Sequence, residues 1–229
     1  MGRQGSGANI HANGSGVLGI LGTKNLHNTD LIAQAGAIPV IVQSMRQHIS
    51  ERKVQQNGCR ALAILGTNNV TNKDLFVKAG VIPVTVQAMR QHPFVQKVQQ
   101  YAFELLAYLT VQNLRNQFLV AIVGAIPVIV QGMRQNGSVL EIQEADPLAI
   151  LCTNNLHNND LVAKAGAISS IAQAMRRHPE VLEYGCHVRG ELASNDLPSY
   201  QELKPFPLSF KACTNTHGNP KSKKMAVMP

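Results

Sequence analysis

Apolar residues recur along this chain at three- and four-residue spacing, in short blocks bounded by glycine, proline and asparagine. In one block Ile38, Ile41, Val42 and Met45 follow the i, i+3, i+4, i+7 pattern of a buried helical stripe. In the next, Val54, Gly58, Ala61, Leu62 and Leu65 share one helical face. A shorter block starts near Asn72, carries Leu75, Phe76 and Val77, and ends at Gly80. The pattern predicts three helices in succession, each with one apolar face, and requires no strand.

These blocks repeat. AGAIPVIVQSMRQH at 35–48 returns as AGVIPVTVQAMRQH at 79–92, VGAIPVIVQGMRQN at 123–136 and AGAISSIAQAMRRH at 165–178, at spacings of 44, 44 and 42 residues. A second phrase keeps the same period: LGILGTKNLHNTDL at 18–31, LAILGTNNVTNKDL at 62–75, LAYLTVQNLRNQFL at 106–119 and LAILCTNNLHNNDL at 148–161. Asn28, Asn72, Asn116 and Asn158 are expected to cap the short first helix, with Asp30, Asp74 and Asp160 in its first turn, where a carboxylate suits the helix dipole. Gly36, Gly80, Gly124 and Gly166 are expected to close it, and Pro39, Pro83 and Pro127 to open the second helix.

A unit this small cannot bury its apolar faces alone, so successive units are expected to stack into an all-α, right-handed superhelical solenoid of about four units, incomplete at both ends. Residues 1–9 read as a disordered, Gly-rich start, and 10–36 as a partial repeat beginning inside a third helix. Full repeats follow at 37–80 and 81–124, a degenerate one at 125–166 and a partial one at 167–195. Residues 196–229 lose the period, carry five prolines from Pro198 onward, and read as an irregular basic tail. Gly14, Gly16 and Gly19 each cost a helix roughly 1 kcal/mol against Ala, so fraying is expected at the first end. In the degenerate repeat, IQEADPLAIL at 142–151 is two residues shorter than its counterpart at 54–65 and contains Pro147. The third helix there should break and restart with Asp146 as cap and Pro147 in the first turn.

The G-x-I-P phrase, the M-R-x-H-P phrase and V-Q-x-x-G-C-x-A-L-x-x-L, best seen over Gly36–Leu65, resemble the armadillo repeat family across roughly residues 10–195. The wording also resembles kinase-linked and protist armadillo arrays. The resemblance implies a non-enzymatic protein-interaction scaffold, in which third helices line a concave groove for a peptide or helix of a partner. Projected on a helical wheel, Gln56, Arg60, Ala63 and Thr67 lie opposite the buried face, followed by Gln100, Glu104, Ala107 and Val111, and then by Asp146 and Ala149. The candidate groove is therefore Gln56, Arg60, Ile64, Gln100, Glu104, Tyr108, Asp146 and Ile150. Nuclear-import adaptors of this family grip peptides with a Trp-x-x-x-Asn pair on each third helix. Here the Trp position holds Arg60, Glu104 or Asp146 and the Asn position Ile20, Ile64, Tyr108 or Ile150, which argues against that activity. The substituted apolar positions suit burial between repeats better than an apolar groove.

Composition changes this picture little. There are 21 Lys plus Arg against 13 Asp plus Glu, and the resulting +8 leaves nucleic acid or an acidic surface open as a partner. Arg46, Arg90, Arg134 and Arg176 form a basic ladder at the ends of the second helices; it could read phosphate or an acidic partner, but favourable charge at a helix C-terminus explains it as well. Aromatic residues make up 4% with no Trp, so stacking platforms for single strands are scarce. Cys59, Cys152, Cys186 and Cys213 form no C-x-x-C pair and read as free thiols in a reducing compartment, and neither a signal peptide nor a long apolar run occurs. An intracellular, cytoplasmic location is expected. His48, His92 and His178 share one repeat phase, and His27 with His157 another. Packed repeats lie roughly 10 Å apart, so these histidines cannot converge on one metal, and neither metal nor cofactor is expected. No P-loop, G-x-S-x-G or H-E-x-x-H motif is present, and Glu141 with Glu144 lacks a histidine partner, so no catalytic residue is expected. The competing readings are a nuclear-transport cargo adaptor, a nucleic-acid or acidic-surface binder using the ladder, and a regulatory fragment of a larger kinase-linked protein. Association through uncapped ends is a further expectation.

Overall fold

A computed structural model describes residues 2–67, 72–136, 147–153, 155–170 and 173. Among them every regular element is helical: α1 (Gly2–Gly22), α2 (Leu26–Gln34), α3 (Ala37–Gln47), α4 (Arg52–Gly66), α5 (Asn72–Ala79), α6 (Val81–Gln91), α7 (Gln96–Thr110), α8 (Leu114–Ile122), α9 (Ala125–Asn136), α10 (Pro147–Cys152) and α11 (Leu156–Lys164). Two short-short-long units, α2–α4 and α5–α7, follow α1; α8, α9 and α10 form a third, whose third helix is described over Pro147–Cys152, and α11 opens a fourth. The third helices stack on one another in the order α1, α4, α7, α10, and second helices pack alongside, α3 against α6 and α6 against α9. The chain is thus an all-α solenoid. One continuous core runs from Ala33 to Ala167, built mainly from Ile, Leu, Val, Ala and Met, with Phe76 and Phe103 as its largest members.

The predicted stripes fill that core, except for Val54, which clusters with Ala8 and Ala12 of α1. Ile38, Ile41, Val42 and Met45 are buried, as are Val54, Gly58, Ala61, Leu62 and Leu65. The two stripes meet where Met45 lies over Gly58: a Cβ built on Gly58 would stand 2.6 Å from the Met45 sulfur, so the close approach depends on glycine. Buried Gln55 fastens the same seam by donating to the carbonyls of Met45 at 2.8 Å and His48 at 2.9 Å. Gln99 repeats this on Met89 at 3.0 Å and His92 at 3.1 Å. The Met45 and Met89 carbonyls lie in the last turns of α3 and α6, where intrahelical partners run out, while those of His48 and His92 also accept from the backbone N–H of Glu51 and Val95.

The first helices are capped three residues earlier than expected. Asn25, Asn113 and Asn155 are the N-caps, their side chains accepting from the backbone N–H of Asn28, Asn116 and Asn158 at 3.0, 3.0 and 3.1 Å. The asparagines assigned the cap role from sequence instead reach back across the turn. Asn28, Asn72, Asn116 and Asn158 donate to the carbonyls of Leu21, Leu65, Leu109 and Leu151, at 2.8, 2.9, 2.7 and 2.9 Å. Each therefore ties the end of a third helix to the following first helix. Asp30 and Asp160 correspondingly fall beyond the first turn, and Asp160 pairs with Lys164 at 2.6 Å; Asp74 remains in the first turn of α5. Gly36, Gly80, Gly124 and Gly166 hold φ between 69° and 80°, the left-handed conformation that lets a first helix turn directly into a second. Pro39, Pro83 and Pro127 sit in the first turn of α3, α6 and α9, where a missing N–H costs no helical hydrogen bond.

Two expectations concern the ends of helices. The start expected to be disordered continues α1 back to Gly2, in a helix that runs through Gly14, Gly16 and Gly19. The described part of the third helix of the degenerate repeat runs over Pro147–Cys152, and the expected break before it lies outside the described residues. The Asp146 cap lies outside the described residues, as do the tail and most of the 167–195 repeat.

Candidate functional site

The third helices form a row, and the groove residues expected from the wheel divide into three groups. Gln56 and Arg60 on α4 and Glu104 on α7 are half-buried, and Thr67 and Val111 at the helix ends are exposed. Ala63 and Ala107, by contrast, are only 5% and 7% exposed, and Gln100 is buried at 9%. A wheel treats the helix as two-sided, whereas α4 is held by α3, α1 and α7 at once. Only part of the opposite face therefore reaches solvent. Ile64 and Tyr108 form the third group, which packs between successive third helices: a Cβ on Gly22 would lie 3.2 Å from Ile64, and one on Gly66 2.9 Å from Tyr108. They are spacers between repeats more than groove wall. Ile150 at the same repeat position is half-buried, and Asp146 lies outside the described residues.

The polar side chains of this row are linked locally. On α7, Lys97 donates to Gln100 Oε1 at 2.8 Å, and Gln100 Nε2 donates to Glu104 Oε1 at 3.1 Å. The Lys97 ammonium also stands 5.9 Å from the Tyr101 ring centre, within range of a cation–π attraction. On α4, Asn57 donates to the carbonyl of Ala12 at 2.8 Å, tying α4 to α1. The surface thus presents Arg60 from one repeat and a Lys97–Gln100–Glu104 chain from the next.

The arginine ladder has a different job. Arg46 reaches the carbonyl of Ala79 at 3.5 Å, and Arg90 reaches those of Val123 and Gly124 at 2.9 and 3.0 Å. Arg134 donates to the carbonyl of Gly166 at 3.0 Å and to the Ser170 hydroxyl. Each guanidinium meets the negative end of the first helix in the following unit, where the reading from sequence placed its charge on the end of its own second helix. The ladder staples repeat to repeat. Arg176 lies outside the described residues.

His48 and His92 are the C-cap residues of α3 and α6, and His92 Nε2 lies 2.8 Å from the carbonyl oxygen of Ile49 in the preceding unit. Among the described residues no group of three or more His, Cys, Asp or Glu is placed to hold a metal. Cys59 and Cys152 are free and buried. Burial pushes the Cys59 thiol up to about 12, so it stays protonated at neutral pH. Two features escaped the sequence reading. The glutamine clamp could have been found, since Gln55 and Gln99 recur at the repeat spacing. The other is a strip of Leu114, Phe118 and Ile122 along α8, all exposed, where α11 carries Leu156, Asp160 and Lys164.

No family model matches the sequence, and no curated protein sequence matches it at a significant level. Solved structures do match the fold. A designed armadillo repeat protein superimposes with a TM-score of 0.71 at 17% identity, over 84% of this chain and 80% of that one. An engineered protein does so with a TM-score of 0.70 at 21% identity, over 92% of each chain. A second designed armadillo repeat protein, in complex with the peptide (KR)4, reaches a TM-score of 0.64 at 15% identity, over 87% of this chain and 86% of that one. The chain therefore has an armadillo-like repeat fold. Among the described residues no single helix is long and apolar enough to cross a membrane.

Proposed function

We propose that this chain is a non-enzymatic scaffold that holds an extended segment of a partner protein along its third helices. The observation that carries the reading is the stacking of α1, α4 and α7, which sets Arg60 and Glu104 at one repeat position on neighbouring helices of opposite charge. The complex of an armadillo-like designed protein with the peptide (KR)4 supports a peptide as the class of partner. Packed helices lie roughly 10 Å apart, and a polyproline-type segment advances about 3.1 Å per residue, so side chains three residues apart match the repeat. The segment that fits best carries an acidic residue over Arg60 and a basic residue three positions away over Glu104. A uniformly basic peptide meets Arg60 unfavourably and should bind less well.

Fluorescein-labelled proline-rich peptides with Asp and Lys three residues apart, in both orders, test this by anisotropy alongside (KR)4. One order should bind more tightly than the other and than (KR)4, and the Arg60→Glu/Glu104→Arg exchange should reverse that preference. Equal binding of both orders, unchanged by the exchange, would sink the groove reading. Loss of binding in Arg46→Ala/Arg90→Ala with a steep salt dependence would favour an acidic or nucleic-acid partner on the ladder.

A further inference from the structure

Of the first helices, α8 departs from the other three. The repeat position of Phe118 is held by Asp30 on α2, Asp74 on α5 and Asp160 on α11, and that of Ile122 by Gln34, Lys78 and Lys164. On α11 the two positions form an ion pair, Lys164 to Asp160 at 2.6 Å. On α8 two apolar side chains stand there instead, and Leu114 extends them by one turn. Leu114, Phe118 and Ile122 are 61%, 53% and 63% exposed. The inward side of α8 is already complete, with Asn116, Gln117 and Val120 buried, so the solenoid does not need this strip. The helix lies inside the array, packed against α7, α9 and α11.

Charge selects what can cover the strip. α8 has no acidic residue; exposed Arg115 stands beside Leu114, and Arg90 holds the carbonyls of Val123 and Gly124 just past Ile122. A stretch of about 12 Å, the rise of eight helical residues, is thus apolar with a guanidinium at each end. A second copy of the chain covers it badly. A two-fold pair of α8 helices sets Arg115 against Arg90 when antiparallel and each arginine against its own copy when parallel, so like charges meet either way. An anionic membrane laid on the first helices would also meet Asp74 and Asp160, the residues at the position of Phe118 in the units before and after. Residues four apart form the ridge by which two helices most often interlock. We propose that α8 is a docking site for an amphipathic helix of another protein, one with aliphatic or aromatic residues at the same four-residue spacing and a carboxylate at each end of that stripe. The site is separate from the third-helix groove, and either can fail without the other.

The probe is a synthetic Ala–Gln helix carrying Leu, Phe and Ile four residues apart, with Glu before the first and after the last; its twin carries Lys at both ends. Each is titrated into the isotope-labelled full chain and followed by NMR, which reads affinities down to millimolar. The Glu peptide should shift the α8 amides saturably and bind at least tenfold more tightly than the Lys peptide. Phe118→Asp with Ile122→Lys writes the ion pair of α11 onto α8 at unchanged net charge. It should weaken binding at least tenfold while helical circular dichroism and melting temperature match the parent, separating loss of the site from loss of the fold. Arg115→Glu should shrink the preference for the Glu peptide. Absence of saturable binding at α8 overturns the proposal, as does equal binding of the two peptides or binding that survives Phe118→Asp/Ile122→Lys. Dimerisation of the full chain, or its sedimentation with phosphatidylglycerol vesicles, overturns it too if the double variant abolishes either, because a second copy or a lipid surface then covers the strip.

Discussion

Gln55 and Gln56 are neighbours on α4 and belong to different parts of the molecule. Gln55 is buried in the seam between second and third helices, where it holds two carbonyls; Gln56 is half-buried on the groove side. The same division separates Cys59 from Arg60, and the ladder arginines from the groove charges. Polar residues recurring at the repeat spacing are thus of two kinds, those that close the stack and those that face out of it. Repetition alone does not tell them apart.

The largest effect expected from breaking this contrast is at the glutamines. Gln55→Ala removes two hydrogen bonds, one of them buried, and leaves the Met45 carbonyl open, so it should cost about 2–3 kcal/mol in urea unfolding. Gln56→Ala should stay within about 0.5 kcal/mol, as a substitution away from such features does. Similar losses at both positions would mean that the groove side is as structural as the seam.

The thiol gives a pH-dependent version of the contrast. The Cys59 thiol has an ordinary value of 9.0 and is pushed up to about 12 by burial, so the folded state keeps a proton that the unfolded state loses. The contribution is fully present below 9.0 and is lost as pH rises from 9.0 toward 12. At pH 10, one unit above the ordinary value, the loss relative to pH 8 should be about 1.4 kcal/mol, and Cys59→Ala should lack this component. A thiol reagent at pH 8 should react with Cys59 only after unfolding. Rapid labelling of the native protein would place Cys59 on the outer side.

A smaller effect is expected in the ladder. Arg90→Ala removes hydrogen bonds to the carbonyls of Val123 and Gly124, but the guanidinium is exposed, so about 1 kcal/mol is the expected loss. Hydrogen exchange should quicken at the α8–α9 junction and remain unchanged in α2 and α3. Peptide affinity at the third helices should be unaltered.

What the sequence made legible follows from the range of each interaction. The period, the three helices, the glycine turns and the apolar stripes were all readable, because each is set by residues within one or two turns of one another. The caps were not, because Asn25 and Asn28 both lie where the first helix starts and both are good caps; the choice depends on where α1 ends and which carbonyl, here that of Leu21, needs a donor. The ladder was found in phase but assigned to the wrong helix, since the carbonyl that Arg46 reaches belongs to Ala79, 33 residues further on. In the groove, the wheel placed Arg60 and Glu104 on the outer side but could not foresee how neighbouring third helices cover Ala63, Ala107 and Gln100.

The smallest effect on stability is expected where function is proposed. Exchanging the groove charges, Arg60→Glu with Glu104→Arg, leaves net charge unchanged and removes the hydrogen bond that Gln100 Nε2 donates to Glu104 Oε1 at 3.1 Å. Both residues are half-buried, and solvent-accessible charge interactions contribute about 0–1 kcal/mol. The exchange should therefore shift unfolding by no more than about 0.5 kcal/mol, well below Gln55→Ala. Urea unfolding of the exchanged protein checks this directly. A loss of 2 kcal/mol or more, on the order of a broken buried pair, would show that Arg60 and Glu104 hold the stack together. They would then join Gln55 and Arg90 on the structural side of the contrast, and a change in peptide preference on exchange could no longer be read as recognition.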